Sequence, residues 1–136
     1  MNNSSVNKSL SLEKTAHASR LARRWVQQTL GDNASVALVR DSLLLTSELV
    51  TNATLHTDDG CRVSLHFDPD RQHVRVEVSD TSTDEPQPQD APRPRGGGLG
   101  LHLVDDLASE WGTIVTPGGK TVWFELEADP PECRPT

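Results

Sequence analysis

The stretch Glu48-Leu-Val-Thr-Asn52 places a carboxylate and a carboxamide four residues apart within a long amphipathic segment. Side chains at this spacing share one face of an α-helix, and His56 continues the same polar stripe. A carboxylate can orient or deprotonate a nucleophile, and an amide oxygen is a ligand that suits Mg²⁺. The stripe is therefore a candidate metal-nucleotide surface, while solvent exposure is the simpler alternative for such a pair. Another face of the helix carries apolar residues at spacings of three and four: Val36, Val39, Leu43, Val50 and Ala53.

Two later segments add a strand end and a glycine-rich turn. In Val74-Arg-Val-Glu-Val-Ser-Asp80, valines alternate with polar residues, which predicts a half-buried strand that ends in an aspartate. Arg95-Gly-Gly-Gly-Leu-Gly100 runs directly into the helical pattern of residues 101–108. Glycines at a helix start let backbone N–H groups close on a phosphate, although a flexible linker has the same composition. The segment is neither a P-loop nor a dinucleotide fingerprint, because no Gly-Lys-Ser/Thr and no parallel βαβ unit accompanies it.

In this order, the three segments resemble the N, G1 and G2 boxes of the Bergerat-type ATP-binding fold shared by gyrase, a heat-shock chaperone, histidine kinases and MutL. With Gly119-Lys-Thr-Val-Trp-Phe-Glu-Leu126 added, the chain looks like the anti-sigma factor serine/threonine kinases, and especially the small regulatory ATP-binding proteins of actinomycetes. The resemblance covers about residues 9–127, which we take as one domain. Several boxes in the correct order are more specific than any one of them.

The resemblance implies a role for particular residues. Glu48 would be the general base or the water-orienting group, and Asn52 would hold Mg²⁺. Asp80 would accept a hydrogen bond from the adenine amino group, and Thr121 in the last strand would assist at the adenine. The G2 residues would surround the phosphates of ATP: Gly96, Gly97, Gly98, Leu99, Gly100 and Leu101.

The chain departs from the family pattern after the G1 aspartate. The family continues as Asp-x-Gly-x-Gly, whereas Asp80 is followed by Thr81-Ser-Thr-Asp84 without a glycine. Those glycines let the chain pass close to the nucleotide, so their absence bears on the adenine pocket. Residues 81–97 correspond to the ATP lid, and their prolines predict an extended, mobile segment. Within it, Arg93 and Arg95 either reach the phosphates or remain solvated.

Composition and charge set further bounds. With 136 residues and 34% apolar content, the chain can form a single domain, flanked by disordered tails at residues 1–8 and 128–136. No signal-peptide pattern or membrane-spanning stretch is present, so we expect a cytoplasmic protein without a membrane partner. A net charge of −7 argues against direct nucleic-acid binding. Cys61 and Cys133 form neither a metal spacing nor a disulfide framework.

The predicted elements are a strand near Leu10, helices at residues 15–30, 35–55 and 99–110, strands at 62–67 and 73–79, and a hairpin of 112–116 with 120–127. This order predicts an α/β (α+β) two-layer sandwich, with helices on one face of a mixed, mostly antiparallel sheet.

Several side-chain and boundary assignments follow from this order. Gly31 ends the first helix, whose solvated side is the basic run Arg20-Leu-Ala-Arg-Arg24. We interpret Trp111 and Trp123 as packing residues. The apolar side of the first helix is predicted to comprise Ala18, Leu21, Ala22, Trp25 and Val26.

The resemblance implies an ATP-binding anti-sigma factor that sequesters a sigma factor and phosphorylates a STAS-type anti-anti-sigma factor, with ATP and Mg²⁺ as cofactors. A homodimer is usual in the family. Two alternatives remain open: a non-catalytic nucleotide-binding regulatory module, and a sigma-binding protein that has lost ATP binding. The missing G1 glycines favour the alternatives, whereas the intact Glu48 and Asn52 favour the kinase.

Overall fold

A computed structural model describes residues 5–55, 59–81 and 101–128. Their strands form one five-stranded sheet in the order β1-β2-β3-β5-β4, and every neighbouring pair is antiparallel. A short 3₁₀ turn, Gly31–Asn33, follows the first helix. The strands and helices are β1 (Val6–Leu12), α1 (Ala18–Leu30), α2 (Val36–Leu55), β2 (Cys61–Asp68), β3 (His73–Asp80), α3 (Leu101–Leu107), β4 (Glu110–Thr116) and β5 (Gly119–Glu127).

The alternation of side chains along β2 and β3 separates the two faces of the sheet. Every second residue of each strand is buried, and the residues between them are more exposed. Both α1 and α2 pack on the buried face. The predicted two-layer fold is thereby confirmed, and the described strands contribute only antiparallel pairs. The buried layer of these two strands consists of Val63, Leu65, Phe67, Val74, Val76 and Val78.

Helix α1 buries a stripe of small and branched side chains at intervals of four residues: Ala18, Ala22, Val26 and Leu30. Arg20, Arg23 and Arg24 are exposed, as predicted. Leu21 was assigned to the apolar side but is 46% exposed, because it lies about a quarter of a helical turn away from this stripe. The helix ends at Gly31, whose φ of 57° is a conformation that glycine adopts readily.

Helix α2 corrects the predicted apolar stripe. Val36 is 83% exposed at the first position of the helix. Ser35 caps that turn, since its Oγ accepts a hydrogen bond from the Leu38 N–H at 3.1 Å. The segment is apolar around much of its circumference, so its periodicity alone left the inward face ambiguous. The buried residues of the helix are Leu38, Ser42, Leu45, Thr46, Leu49, Val50 and Ala53.

Several predicted boundaries move by one to three residues, including the start of β4, which is Glu110 rather than residue 112. Strand β1 begins at Val6, inside the segment predicted as a tail, because Val6 pairs with Phe67 across the sheet. Helix α1 begins at Ala18 rather than at residue 15. Helix α3 ends at Leu107 rather than at residue 110, because Glu110 is already paired with Glu125 in the sheet. Among the residues that the structure describes, no helix combines the length and apolarity that crossing a bilayer requires.

Both tryptophans act as packing residues, as predicted. Trp123 lies on the face of the sheet away from the helices, where the Arg75 guanidinium stacks over its ring at 4.1 Å from the centroid. Arg75 also bonds Glu125 at 2.7 Å. Trp111 packs against the core, and its indole N–H donates to Asp105 at 3.0 Å. These contacts engage both rings within the domain.

Gly60 and Gly31 allow the effect of a close backbone contact to be separated from the effect of a positive φ. Both have positive φ, at 82° and 57°. A Cβ on Gly60 would collide with the backbone of Leu12, whereas a Cβ on Gly31 meets nothing within 4 Å. We expect Gly60→Ala to lower the free energy of unfolding by roughly 1–3 kcal/mol more than Gly31→Ala does, as measured by denaturant titration. Equal losses would mean that φ alone, and not the contact with β1, constrains Gly60.

Candidate functional site

Asp80 is a carboxylate at the end of β3 that faces the apolar layer. It continues the series Val74, Val76 and Val78 on the helix-covered face, and its side chain is only 2% exposed. A buried carboxylate requires compensating partners, because desolvation of a charge is costly. Directly opposite on β5 is Lys120, whose side chain is 12% exposed and whose Nζ lies 3.9 Å from Asp80 Oδ2. The end of the central strand therefore carries a buried pair of opposite charges.

Thr121 lies on the other face of the sheet. Its register partner is Ser79, and the two hydroxyl oxygens are 2.8 Å apart. Successive side chains of a strand point to opposite faces, so Thr121 cannot share a pocket with Asp80. This placement argues against the predicted role of Thr121 at the adenine, and Lys120 is the residue of β5 that shares a face with Asp80. Phe124 is buried, and every second residue of a strand lies on the same face. Residues 122 and 120 therefore share the face of Phe124, and this period was the sequence signal that could have identified Lys120.

The start of β2 and the loop before it lie beside Asp80. Cys61 is buried next to Asp80, since Arg62 pairs with Ser79 in the preceding step of the register. Burial and, to a smaller extent, the negative charge of Asp80 raise the pKa of the Cys61 thiol to about 11. The Thr81 hydroxyl donates to Asp59 Oδ2 at 2.8 Å, which ties the end of β3 to the segment that follows α2.

Glu48 and Asn52 lie in the C-terminal half of α2, the helix that packs on β3 and β5. Both residues are half-buried. The Oδ1 atom of Asn52 is buried and accepts no hydrogen bond from any residue that the structure describes. A buried acceptor without a partner costs about 1–3 kcal/mol, so a ligand that satisfies it gains that amount in binding. The hydroxyls of Ser42 and Thr46 on the same helix also have no partner in the described part of the chain, but those two residues are fully enclosed.

The donor set at Asn52 suits a cation that brings other ligands with it. Within residues 5–55, 59–81 and 101–128, no group of three or more His, Cys, Asp or Glu side chains could hold a metal ion. Mg²⁺ commonly binds through one or two protein oxygens and completes its shell with phosphate oxygens and water. The unpaired amide oxygen of Asn52 fits that mode of binding.

Several predicted site residues lie outside the described part of the chain. These include His56, Arg93, Arg95 and most of the predicted lid. Cys133, which was assigned to no site, also lies outside the described residues. Leu101 is the first residue of α3, and α3 contacts α2. The glycine-rich residues that remain predictions are Gly96, Gly97, Gly98, Leu99 and Gly100.

Comparison with known proteins identifies similar sequences and folds. The family model described as the histidine kinase-like ATPase domain matches residues 9–126. A comparison with curated proteins found no match. Among solved structures, the chain is similar to the RsbU and RsbW domains of Rv1364c from Mycobacterium tuberculosis, with a TM-score of 0.68 and 24% sequence identity. The alignment covers 89% of this chain and 31% of that one, so this chain spans about a third of it.

The Cys61 thiol offers a direct measure of the charge at Asp80. In a Cys133→Ser background, the ultraviolet absorbance of the thiolate reports Cys61 alone, and the chain has no tyrosine to interfere. We expect titration near pH 11 and a lower midpoint in Asp80→Asn, which still exceeds the ordinary value of about 8.5 because burial is the larger cause. An unchanged midpoint would mean that Asp80 does not contribute to the raised pKa of the thiol.

The same pKa fixes the sign of a stability change. The folded state holds the Cys61 proton more tightly than the unfolded state does, so this contribution is complete below about pH 8.5. It is lost as the pH rises through about 11. Between about pH 8.5 and pH 11, the free energy of unfolding should therefore fall less steeply in Cys61→Ala than in the wild type.

Proposed function

The chain belongs to the histidine kinase-like ATPase domain family, and from this premise we propose that it binds ATP with Mg²⁺ and acts as an anti-sigma factor with serine/threonine kinase activity. The order of the sequence motifs supports this proposal, as does the match of the family model across nearly the whole described domain. The similarity in fold to a protein with RsbU and RsbW domains is consistent with it.

The observation that carries the proposal is the buried Oδ1 of Asn52, which has no hydrogen-bond partner within residues 5–55, 59–81 and 101–128. Asn52 lies one helical turn from Glu48 on α2, and α2 packs on β3, which ends at Asp80, and on β5, whose second residue is Lys120. In the proposed site, Asn52 would be the metal ligand and Glu48 the base, and the polar pair Asp80 and Lys120 would hold the nucleotide base. A purely structural helix would be expected to satisfy the Asn52 amide within the protein.

Each residue has a distinct role in the proposed mechanism. Asn52 would hold Mg²⁺ through Oδ1, and the bound ion would neutralise charge on the phosphates. Asp80 would accept a hydrogen bond from the adenine amino group in a site shielded from water. Glu48 would orient the incoming serine hydroxyl and take its proton. Catalysis would then rest on positioning and electrostatics rather than on covalent chemistry.

The partners follow from the same proposal. The serine would belong to a STAS-type anti-anti-sigma factor, and the protein bound and released in response would be a sigma factor. We propose a cytoplasmic setting, a homodimer and no direct contact with nucleic acid. The net charge of −7 agrees with the last point, because a nucleic-acid surface usually carries a basic excess.

Asp80→Asn tests the adenine contact. Replacing the carboxylate with a neutral amide should weaken Mg²⁺-ATP binding roughly ten- to a hundredfold, the usual value of a charge-assisted hydrogen bond. Titration calorimetry measures this, with Asp41→Asn as a control that makes the same change of charge in the N-terminal half of α2. Equal affinities in Asp80→Asn and Asp41→Asn would remove Asp80 from the site.

Glu48 and Asn52 should separate binding from transfer. Glu48→Gln should bind Mg²⁺-ATP normally but transfer phosphate to a STAS partner at least ~100-fold more slowly, because the base is lost. Asn52→Ala should weaken binding in Mg²⁺ and much less in EDTA, because only the metal-dependent part of the affinity is lost.

Two results would contradict these roles. Phosphate transfer by Glu48→Gln at the wild-type rate would exclude Glu48 as the base. Normal ATP binding by the wild type without transfer to any cognate STAS protein would favour the non-catalytic nucleotide-binding module.

A further inference from the structure

Lys120 is more enclosed than a surface lysine usually is. Its side chain is 12% exposed, against 2% for Asp80. Lysine is rarely buried unless its ammonium group has a partner. The 3.9 Å between Nζ and Asp80 Oδ2 exceeds hydrogen-bond length, so this attraction uses none of the three N–H donors of Nζ. The N–H donors of Lys120 therefore lie next to the carboxylate of Asp80.

The backbone fixes the position of Lys120. It pairs with Asp80 on one side and with Val115 on the other, within a continuous antiparallel register. The preceding Gly119 packs so closely that a Cβ there would collide with the Asp80 backbone. The side chains of Asp80 and Lys120 consequently share the helix-covered face and are adjacent across the strand pair.

We propose that Lys120 is a second base-recognition residue, which donates a hydrogen bond to N1 of adenine while Asp80 accepts one from the N6 amino group; this inference rests on the proposed ATP-binding function. The Watson–Crick edge of adenine presents a donor and an acceptor next to each other, and the pair Asp80 and Lys120 presents their complements in the same order.

The same pair discriminates against guanine. In guanine the order is reversed, with an acceptor at O6 and a donor at N1. The pose that suits adenine would set the Asp80 carboxylate against O6 and the Lys120 ammonium against the N1 hydrogen. Selectivity for adenine then comes from two repulsive contacts as well as from two attractive ones. A lone carboxylate at this position would supply only half of that discrimination.

Nucleotide analogues test the inference by calorimetry. Wild-type protein should bind ATP roughly ten- to a hundredfold more tightly than 1-deaza-ATP, which has a C–H in place of N1. Lys120→Met keeps the aliphatic stem but has no donor, so it should bind the two nucleotides equally. Thr121→Val alters the neighbouring residue on the opposite face and should keep the wild-type ratio. All three proteins should bind 7-deaza-ATP as they bind ATP, because N7 lies away from the edge being read.

The ratio of affinities distinguishes recognition from a structural role. Lys120→Met could instead weaken the binding of ATP and of 1-deaza-ATP equally, so that the ratio of the two affinities stays at the wild-type value. Lys120 would then act only on the fold or on Asp80, and the inference would be overturned. Equal binding of ATP and 1-deaza-ATP by the wild type overturns it without any variant. Lys120→Gln retains a neutral donor and should give an intermediate ratio, which supports the inference even if Lys120→Met does not fold. Wild-type protein that binds no ATP would overturn the proposed function itself.

Discussion

Strand β3 lies at the centre of the sheet, and the two-residue period of its side chains decides which groups meet in this domain. Its valines at positions 74, 76 and 78 form the middle of the buried layer, and Asp80 is the next member of the same series. The register that builds the core therefore also delivers a carboxylate to the covered face at the edge of that core. A slip of one residue would turn every one of these side chains to the other face.

Burial of charge at this end of the sheet has a cost that the rest of the fold must offset. Asp80 and Lys120 attract each other but are too far apart to hydrogen-bond, and the thiol of Cys61 beside them stays protonated well above its ordinary range. The amide oxygen of Asn52 is buried without a partner in the described residues. A buried acceptor of this kind lowers the stability of the domain, and a ligand that donates to the Asn52 oxygen recovers the loss as binding free energy.

The opposite face of the sheet shows how the same residue types behave when they serve only the structure. There Arg75 stacks on Trp123 and bonds both Glu77 and Glu125, at 2.9 and 2.7 Å. Ser79 and Thr121 hydrogen-bond across the strands. These polar groups find partners among their neighbours and cover the outer surface of the strands. On the helix-covered side, by contrast, Asn52 Oδ1 has no hydrogen-bond partner among the described residues.

Much of this arrangement was determined by the sequence alone. The alternation of residues 74–80 placed Asp80 at a strand end, and the four-residue spacing placed Glu48 and Asn52 on one helical face. The order of elements predicted helices on one face of an antiparallel sheet. These features follow from local periods of 2.0 and 3.6 residues, which are written into neighbouring positions of the chain.

Only the tertiary structure decided which residue of β5 meets Asp80. Lys120 and Thr121 are adjacent in sequence, and the pairing of β3 with β5 brings the first to the site and turns the second away. Tertiary packing also decided that Val36 and Leu21 are exposed, and that Asn52 Oδ1 has no partner among the residues the structure describes. Register and burial depend on contacts between elements that are distant in the chain, and local periodicity carries no information about them.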